Sequence, residues 1–138
     1  MNEDFVTYEL AVKLKEKGFR EKCIAYYWEK INEHTPSFLV EDNMPEDGLY
    51  ILDLLSNHNQ AEWSPFIDAP TISQVLKWLR KEKGLHIEIL HFFSKKTFWD
   101  FEVAHIGSYE RWWNNLELFD TYEQAVLAGI KYVLDNLI

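Results

Sequence analysis

The chain has 138 residues, 47% of them apolar and 16% aromatic, with a formal net charge of −9. That composition excludes an intrinsically disordered chain, and the length is that of one domain able to bury a core without cross-links. The single cysteine, Cys23, rules out an intramolecular disulfide and fits a reducing compartment. No apolar run approaches the roughly 18 residues of a membrane span, and the acidic start Met-Asn-Glu-Asp-Phe lacks the build of a signal peptide. The expectation is a cytoplasmic globular protein with no membrane association.

The first predicted helix opens at Thr7 and runs to Lys17, with Leu10, Ala11 and Leu14 on one stripe. Gly18 supplies a left-handed stop, and Phe19 follows to pack back on the last turn. Cys23 to Lys30 reads as a strand, with Ile24, Tyr26 and Trp28 on one face, and Ser37 to Val40 is its expected hairpin partner. The stretch from 41 to 68 is too long for a plain loop in a compact domain. Leu49 to Leu55 is therefore expected to form a short helix or strand that pins it, after a turn at Met44 to Gly48. Thr71 and Gln74 make a capping box for a second helix, with an apolar stripe of Ile72, Val75, Leu76 and Leu79 and a stop at Gly84.

A hairpin spans Leu85 to Ile106. A two-residue turn at Lys95-Lys96 would pair Ile89 with Glu102 and mix the faces. A three-residue loop, Lys95 to Thr97, aligns Ile87 with His105, Ile89 with Val103, His91 with Phe101 and Phe93 with Trp99, which gives one consistently apolar face. The last helix opens at Asp120-Thr121 with a second capping box at Gln124. Tyr122, Val126, Ile130, Val133 and Leu137 recur at helical spacing, and Ala125, Leu127, Ala128 and Leu134 spread apolar character around the cylinder, as in a buried helix. The elements add up to an α+β domain over residues 1–138: an antiparallel sheet of about four strands, from two hairpins, with about three helices packed on one face.

Between Ile31 and Leu76 there is no Lys or Arg, but there are eight acids: Glu33, Glu41, Asp42, Glu46, Asp47, Asp53, Glu62 and Asp68. Such a concentration repels polyanions and attracts basic protein faces. The spacing of acids in the connector 41–68 fits no calcium loop, because no frame gives alternate acids, a sixth-position Gly and a twelfth-position Glu. The five histidines, at 34, 58, 86, 91 and 105, include no helical pair with zinc spacing, and Cys23 has no cysteine partner. No metal or other cofactor is expected. In the hairpin register His91 and His105 share the apolar face, where a hydrogen-bonded core role is expected, and Cys23 reads as a small core hydrophobe. No phosphate loop, nucleophile elbow or metalloprotease helix is present.

Ser108 to Asn115 is the most suggestive stretch for ligand chemistry. Adjacent Trp112 and Trp113 on a strand point to opposite faces, so one ring is offered outward, with Arg111, Asn114 and Asn115 as donors beside it. That mix suits a sugar, a base or a Pro-rich peptide. The commoner use of Trp in a long loop before a buried helix is for both rings to wrap the sheet edge and cap the core. Lys77, Arg80, Lys81 and Lys83 form a small basic face on the second helix, too small for nucleic-acid binding and placed to complement the acidic connector or to face water.

The segments Pro-Thr-Ile-Ser-Gln-Val-Leu-Lys-Trp-Leu-Arg from Pro70, Leu-His-Ile-Glu-Ile from Leu85, Arg-Trp-Trp-Asn from Arg111 and the closing helix from Thr121 carry a resemblance. Over Asp68 to Ile138 the chain resembles a family of small proteins of Bacteroides-type gut bacteria, often found among prophage or mobile-element genes and without assigned activity. The resemblance implies a setting rather than a mechanism, and no functional residue carries over from it.

Three functional readings follow. The first is a non-enzymatic interaction protein of phage or mobile-element origin that meets a basic protein surface through Glu41, Asp42, Glu46, Asp47 and Asp53, with Trp112 or Trp113 as an anchor. The second is a small-ligand or glycan-binding module centred on Arg111, Trp112, Trp113 and Asn115. The third, an enzyme, ranks last and would need a cleft gathering His34 or His58 with acids of the connector.

Overall fold

The structure, a computed structural model, describes residues 4–28, 49–57, 59, 65–113 and 118–138, with the side chains of 50, 52–56 and 113 left undescribed. The fold is α+β. Among the described residues six strands form two three-stranded antiparallel sheets, and the chain divides into two compact units, Phe5–Pro70 and Thr71–Ile138 with Asp4.

In Phe5–Pro70 the elements are α1 (Tyr8–Glu16), β1 (Cys23–Trp28), β2 (Leu49–Ser56) and β3 (Phe66–Asp68). The Thr7 hydroxyl accepts from the Leu10 amide to cap α1, and Leu10, Ala11 and Leu14 are its buried stripe. Gly18 takes φ +90° at the end of the helix, and the Phe19 amide reaches back to the Leu14 carbonyl at 2.9 Å. The central strand is β1, with β2 and β3 on its two edges. Its buried face is Cys23, Ala25 and Tyr27, leaving Ile24, Tyr26 and Trp28 on the opposite, more open face. The expected partner Ser37–Val40 lies outside the described residues. The sheet is instead completed by β2, the element expected to pin the connector, and by β3.

Thr71–Ile138 contains α2 (Ile72–Trp78), continued by a π-helical turn over Leu79–Lys83, then β4 (Leu85–Ser94), β5 (Lys96–His105), β6 (Arg111–Trp113) and α3 (Tyr122–Asn136). Thr71 caps α2, and Gly84, at φ +64°, ends the π-helical turn. The capping box of α3 is complete between Thr121 and Gln124. The buried side of α3 (Ala125, Val126, Gly129, Ile130, Val133 and Leu134) packs on β5 and β4.

The β4–β5 register differs from the expectation by two residues. Ile87 lies opposite Val103, Ile89 opposite Phe101 and His91 opposite Trp99. The turn centres on Lys95, the one non-glycine residue with positive φ (62°) among the described residues, rather than on Lys96. This places apolar residues across from one another where the expected register had set Ile87 against His105. A shift of two returns every side chain to its own face, so the predicted apolar face survives the correction.

Candidate interaction surfaces

Cover is uneven along the hairpin. Near its base Leu85, Ile87, Phe101 and Val103 are buried. Ile89 and Leu90 are half-buried, and every residue from His91 to Thr97 is exposed. Phe92 is 47% and Phe93 74% exposed, large values for aromatic rings on a paired strand. At the turn, Lys96 lies over the Phe98 ring, 4.8 Å from its centroid, and 3.6 Å from Asp120, in an exposed ion pair of little energetic weight.

The strand order β4-β5-β6 leaves β4 at the rim of its sheet. The far side of β5 is taken by β6 and by a bridge in which Trp99 and Phe119 exchange backbone hydrogen bonds of 2.7 and 2.8 Å. No other described element pairs with the outer side of β4. The strand runs Leu-His-Ile-Glu-Ile-Leu-His-Phe-Phe-Ser with no Pro, Gly or Lys and an unbroken register to β5. Pro, Lys and bulges guard many natural edges, and β4 has none of the three.

Of the residues singled out in the sequence, Glu41, Asp42, Glu46, Asp47 and Asn115 lie outside the described residues. Asp53 sits on β2, and its side chain is not described. Arg111 is exposed on β6 and donates to Glu102 at 2.8 Å across the sheet. Trp112 lies opposite Val103 and is half-buried. Trp113 lies opposite Glu102 in the register. The structure thus sets Arg111 and Trp112 on opposite faces of one short strand and occupies the guanidinium with a neighbouring carboxylate.

The basic face on α2 and its π-helical turn is exposed at Lys77, Arg80, Lys81 and Lys83, with the Lys83 ammonium 5.3 Å from the centre of the buried Trp78 ring. Cys23 is buried, as expected. His91 and His105 share a face, as expected, but both are exposed. They lie at opposite ends of the strands, beyond the stretch that buries Ile87 and Phe101, and His91 leans on Trp99 at 4.9 Å.

Among the described residues of Phe5–Pro70, two polar side chains, Asn59 and Asp68, are fully buried. The Asn59 amide donates to the Asp68 carboxylate at 3.0 Å, the Asp68 amide donates to the Asn59 side-chain oxygen at 3.1 Å, and Asn59 Nδ2 donates to the Phe19 carbonyl at 3.1 Å. This reciprocal pair ties the end of β3, through Asn59, to the turn that follows α1. In the sequence Asp68 stands only as one of the eight acids between Ile31 and Leu76. On β5, burial pushes the Asp100 carboxyl above the ordinary carboxylate range, partly opposed by the hydrogen bond it accepts from the Phe101 amide at 2.7 Å.

A shallow groove of about 280 Å³ runs beside α3, lined by Phe101, Phe119 and Tyr132 with Lys131, Asp135 and Asn136 at its polar rim. Lys131 and Asp135 pair at 2.9 Å. Among the described residues no group of three His, Cys, Asp or Glu is placed to hold a metal ion, and no helix is long and apolar enough to cross a membrane. No protein-family model, curated protein or solved structure matches the chain.

Proposed function

We propose that the chain is a non-enzymatic interaction protein that docks a basic protein surface through its acidic connector, in the phage or mobile-element setting that the resemblance implies. The observation that carries this reading is the pairing of Tyr27 with Leu49, which holds together the two ends of segment 29–48. That segment bears Glu29, Glu33, Glu41, Asp42, Glu46 and Asp47 against Lys30 alone. With six carboxylates against one lysine, the field of this stretch of chain adds up at an approaching cation. Asp53 follows on β2. A partner with a basic face would be steered in quickly and released by moderate salt.

The test compares wild type with a variant carrying Glu41→Gln, Asp42→Asn, Glu46→Gln, Asp47→Asn and Asp53→Asn in capture from a bacterial lysate. A basic protein held only by wild type, and eluted by moderate salt, supports the reading. Identical captures from the two proteins refute it.

The α3 groove favours a second reading, a small-ligand or glycan module. Three aromatic walls with an amide and an ion pair at the rim offer stacking and hydrogen bonds together, although the volume falls just below the roughly 300 Å³ at which small-molecule sites begin. A screen of mono- and disaccharides by ligand-observed NMR, repeated on Tyr132→Ala, decides it: saturation transfer that the substitution abolishes supports this reading, and none from wild type removes it.

A further inference from the structure

We propose that two copies of the chain associate by pairing their β4 strands edge to edge, antiparallel, about a two-fold axis at His91. This goes beyond the acidic-connector reading and does not depend on it.

An open edge strand presents a row of backbone donors and acceptors, and proteins that stay monomeric blunt such an edge with Pro, Lys or a bulge. None of these interrupts Leu85–Ser94. The outer half of the strand is also apolar on both faces, with Ile89 and Phe93 on one and Leu90 and Phe92 on the other. A partner lying flat on the sheet covers one face only. A strand added to the edge extends both faces at once and meets both sets of side chains.

The identity of the added strand follows from register and charge. A two-fold axis normal to the sheet keeps each face on its own side only when paired residues have numbers of the same parity. Centred on His91, Phe93 of one copy lies opposite Ile89 of the other, Phe92 opposite Leu90, and Glu88 opposite Ser94, next to the turn lysines. Glu88 and Lys95 are both exposed, and neither has an ion pair within the chain among the described residues. They lie towards opposite ends of the same edge, and antiparallel pairing brings them together twice per dimer. Neighbouring registers lose this match. Centred on Leu90, Glu88 faces Phe92; centred on Ile89, it faces Leu90; centred on Phe92, Leu90 faces Ser94 and the strands overlap less. Opposite-charge and apolar cross-strand pairs stabilise a ladder, and a carboxylate against an apolar side chain does not.

The experiment is sedimentation velocity on the full chain at about 100 µM, where an interface of micromolar strength is filled. Wild type is expected to sediment at twice the 16.5 kDa chain mass. Phe93→Lys, at an exposed position that leaves the fold intact, is expected to be monomeric. Glu88→Lys and Lys95→Glu are each expected to weaken association about tenfold or more by setting like charges against each other, and the double variant to recover it. Far-UV circular dichroism on each variant confirms a common fold. A monomeric wild type overturns the proposal, and so does association that both single reversals leave untouched or that the double reversal fails to restore.

Discussion

Gly129 sits on the buried side of α3, where a Cβ would lie 2.9 Å from Ile87 Cγ2, 3.2 Å from Phe101 Cγ and 3.4 Å from Phe101 Cβ. Carbon atoms rest at about 3.5–4.0 Å, so an alanine overlaps the methyl of Ile87 and crowds Phe101. Both neighbours are buried and belong to paired strands, which leaves them little room to retreat. In a helix interior Gly→Ala ordinarily gains about 1 kcal/mol from backbone entropy. Overpacking costs about 1–3 kcal/mol. The expected net effect of Gly129→Ala is a loss of about 0–2 kcal/mol, opposite in sign to the ordinary gain. Ile87→Ala alone costs about 2–5 kcal/mol as a core truncation but removes the nearest obstructing methyl. In that background Gly129→Ala should recover up to about 1 kcal/mol, a coupling visible as non-additivity in a double-mutant cycle. Urea unfolding of the four proteins, followed by far-UV circular dichroism, measures it. A Gly129→Ala protein more stable than wild type, or one showing the same change in both backgrounds, refutes the packing account.

Asn59→Ala removes the acceptor of the Asp68 amide and the donor to the Phe19 carbonyl in a fully buried setting, and should cost about 3 kcal/mol by urea unfolding. Thr121→Ala removes the side-chain acceptor of the Gln124 amide at the start of α3, and a loss of about 1 kcal/mol is expected in the same assay. Asp100→Asn tests the raised carboxyl. A folded-state pKa above the unfolded value favours the folded state most at low pH, and that contribution falls as pH rises from the ordinary 3.8 through the folded value. Asparagine can still accept from the Phe101 amide, so the variant should gain slightly over wild type at pH 7 and lose that advantage in thermal melts below about pH 4.

The legible parts of the fold were those written in local chemistry. Thr7, Thr71 and Thr121 cap their helices because a side-chain oxygen one residue before the helix satisfies an amide three residues on, and Gly18 and Gly84 end helical turns through positive φ. The faces of the long hairpin were also legible, because alternation fixes parity. Its register was not: parity alone cannot distinguish offsets of two, and the deciding feature is Lys95 in a left-handed conformation that its residue type does not advertise. The two-sheet arrangement was hidden for a similar reason. A three-residue strand such as β3 carries too little pattern to be read before its pairing with β1 is known. The sequence pointed to Trp112 and Arg111 as a site, and the structure half-buries one and pairs the other with Glu102. The more open surface, Phe92 and Phe93 beside the Lys95-Lys96 turn, was visible only as part of a strand, because exposure depends on where helix cover ends.

The two units call for different physics of association. Segment 31–76 holds eight acids without a cation, and nearly all of it belongs to Phe5–Pro70. Of the eight large hydrophobic residues exposed among the described residues, six, including Phe92, Phe93 and Tyr109, lie in Thr71–Ile138. Attraction through the acids acts over about a Debye length, roughly 8 Å at physiological ionic strength, and fades as salt is raised to about 1 M. Apolar edge pairing acts at contact and survives that salt, strengthening in sulfate. A salt series on the intact chain therefore separates the two. Partner capture through the acidic connector should disappear between about 0.15 M and 1 M NaCl, while self-association through β4 persists with its Glu88–Lys95 component reduced. If both vanished together, the apolar pairs of the β4 edge would not be what holds the copies, and charge alone would have to explain the assembly.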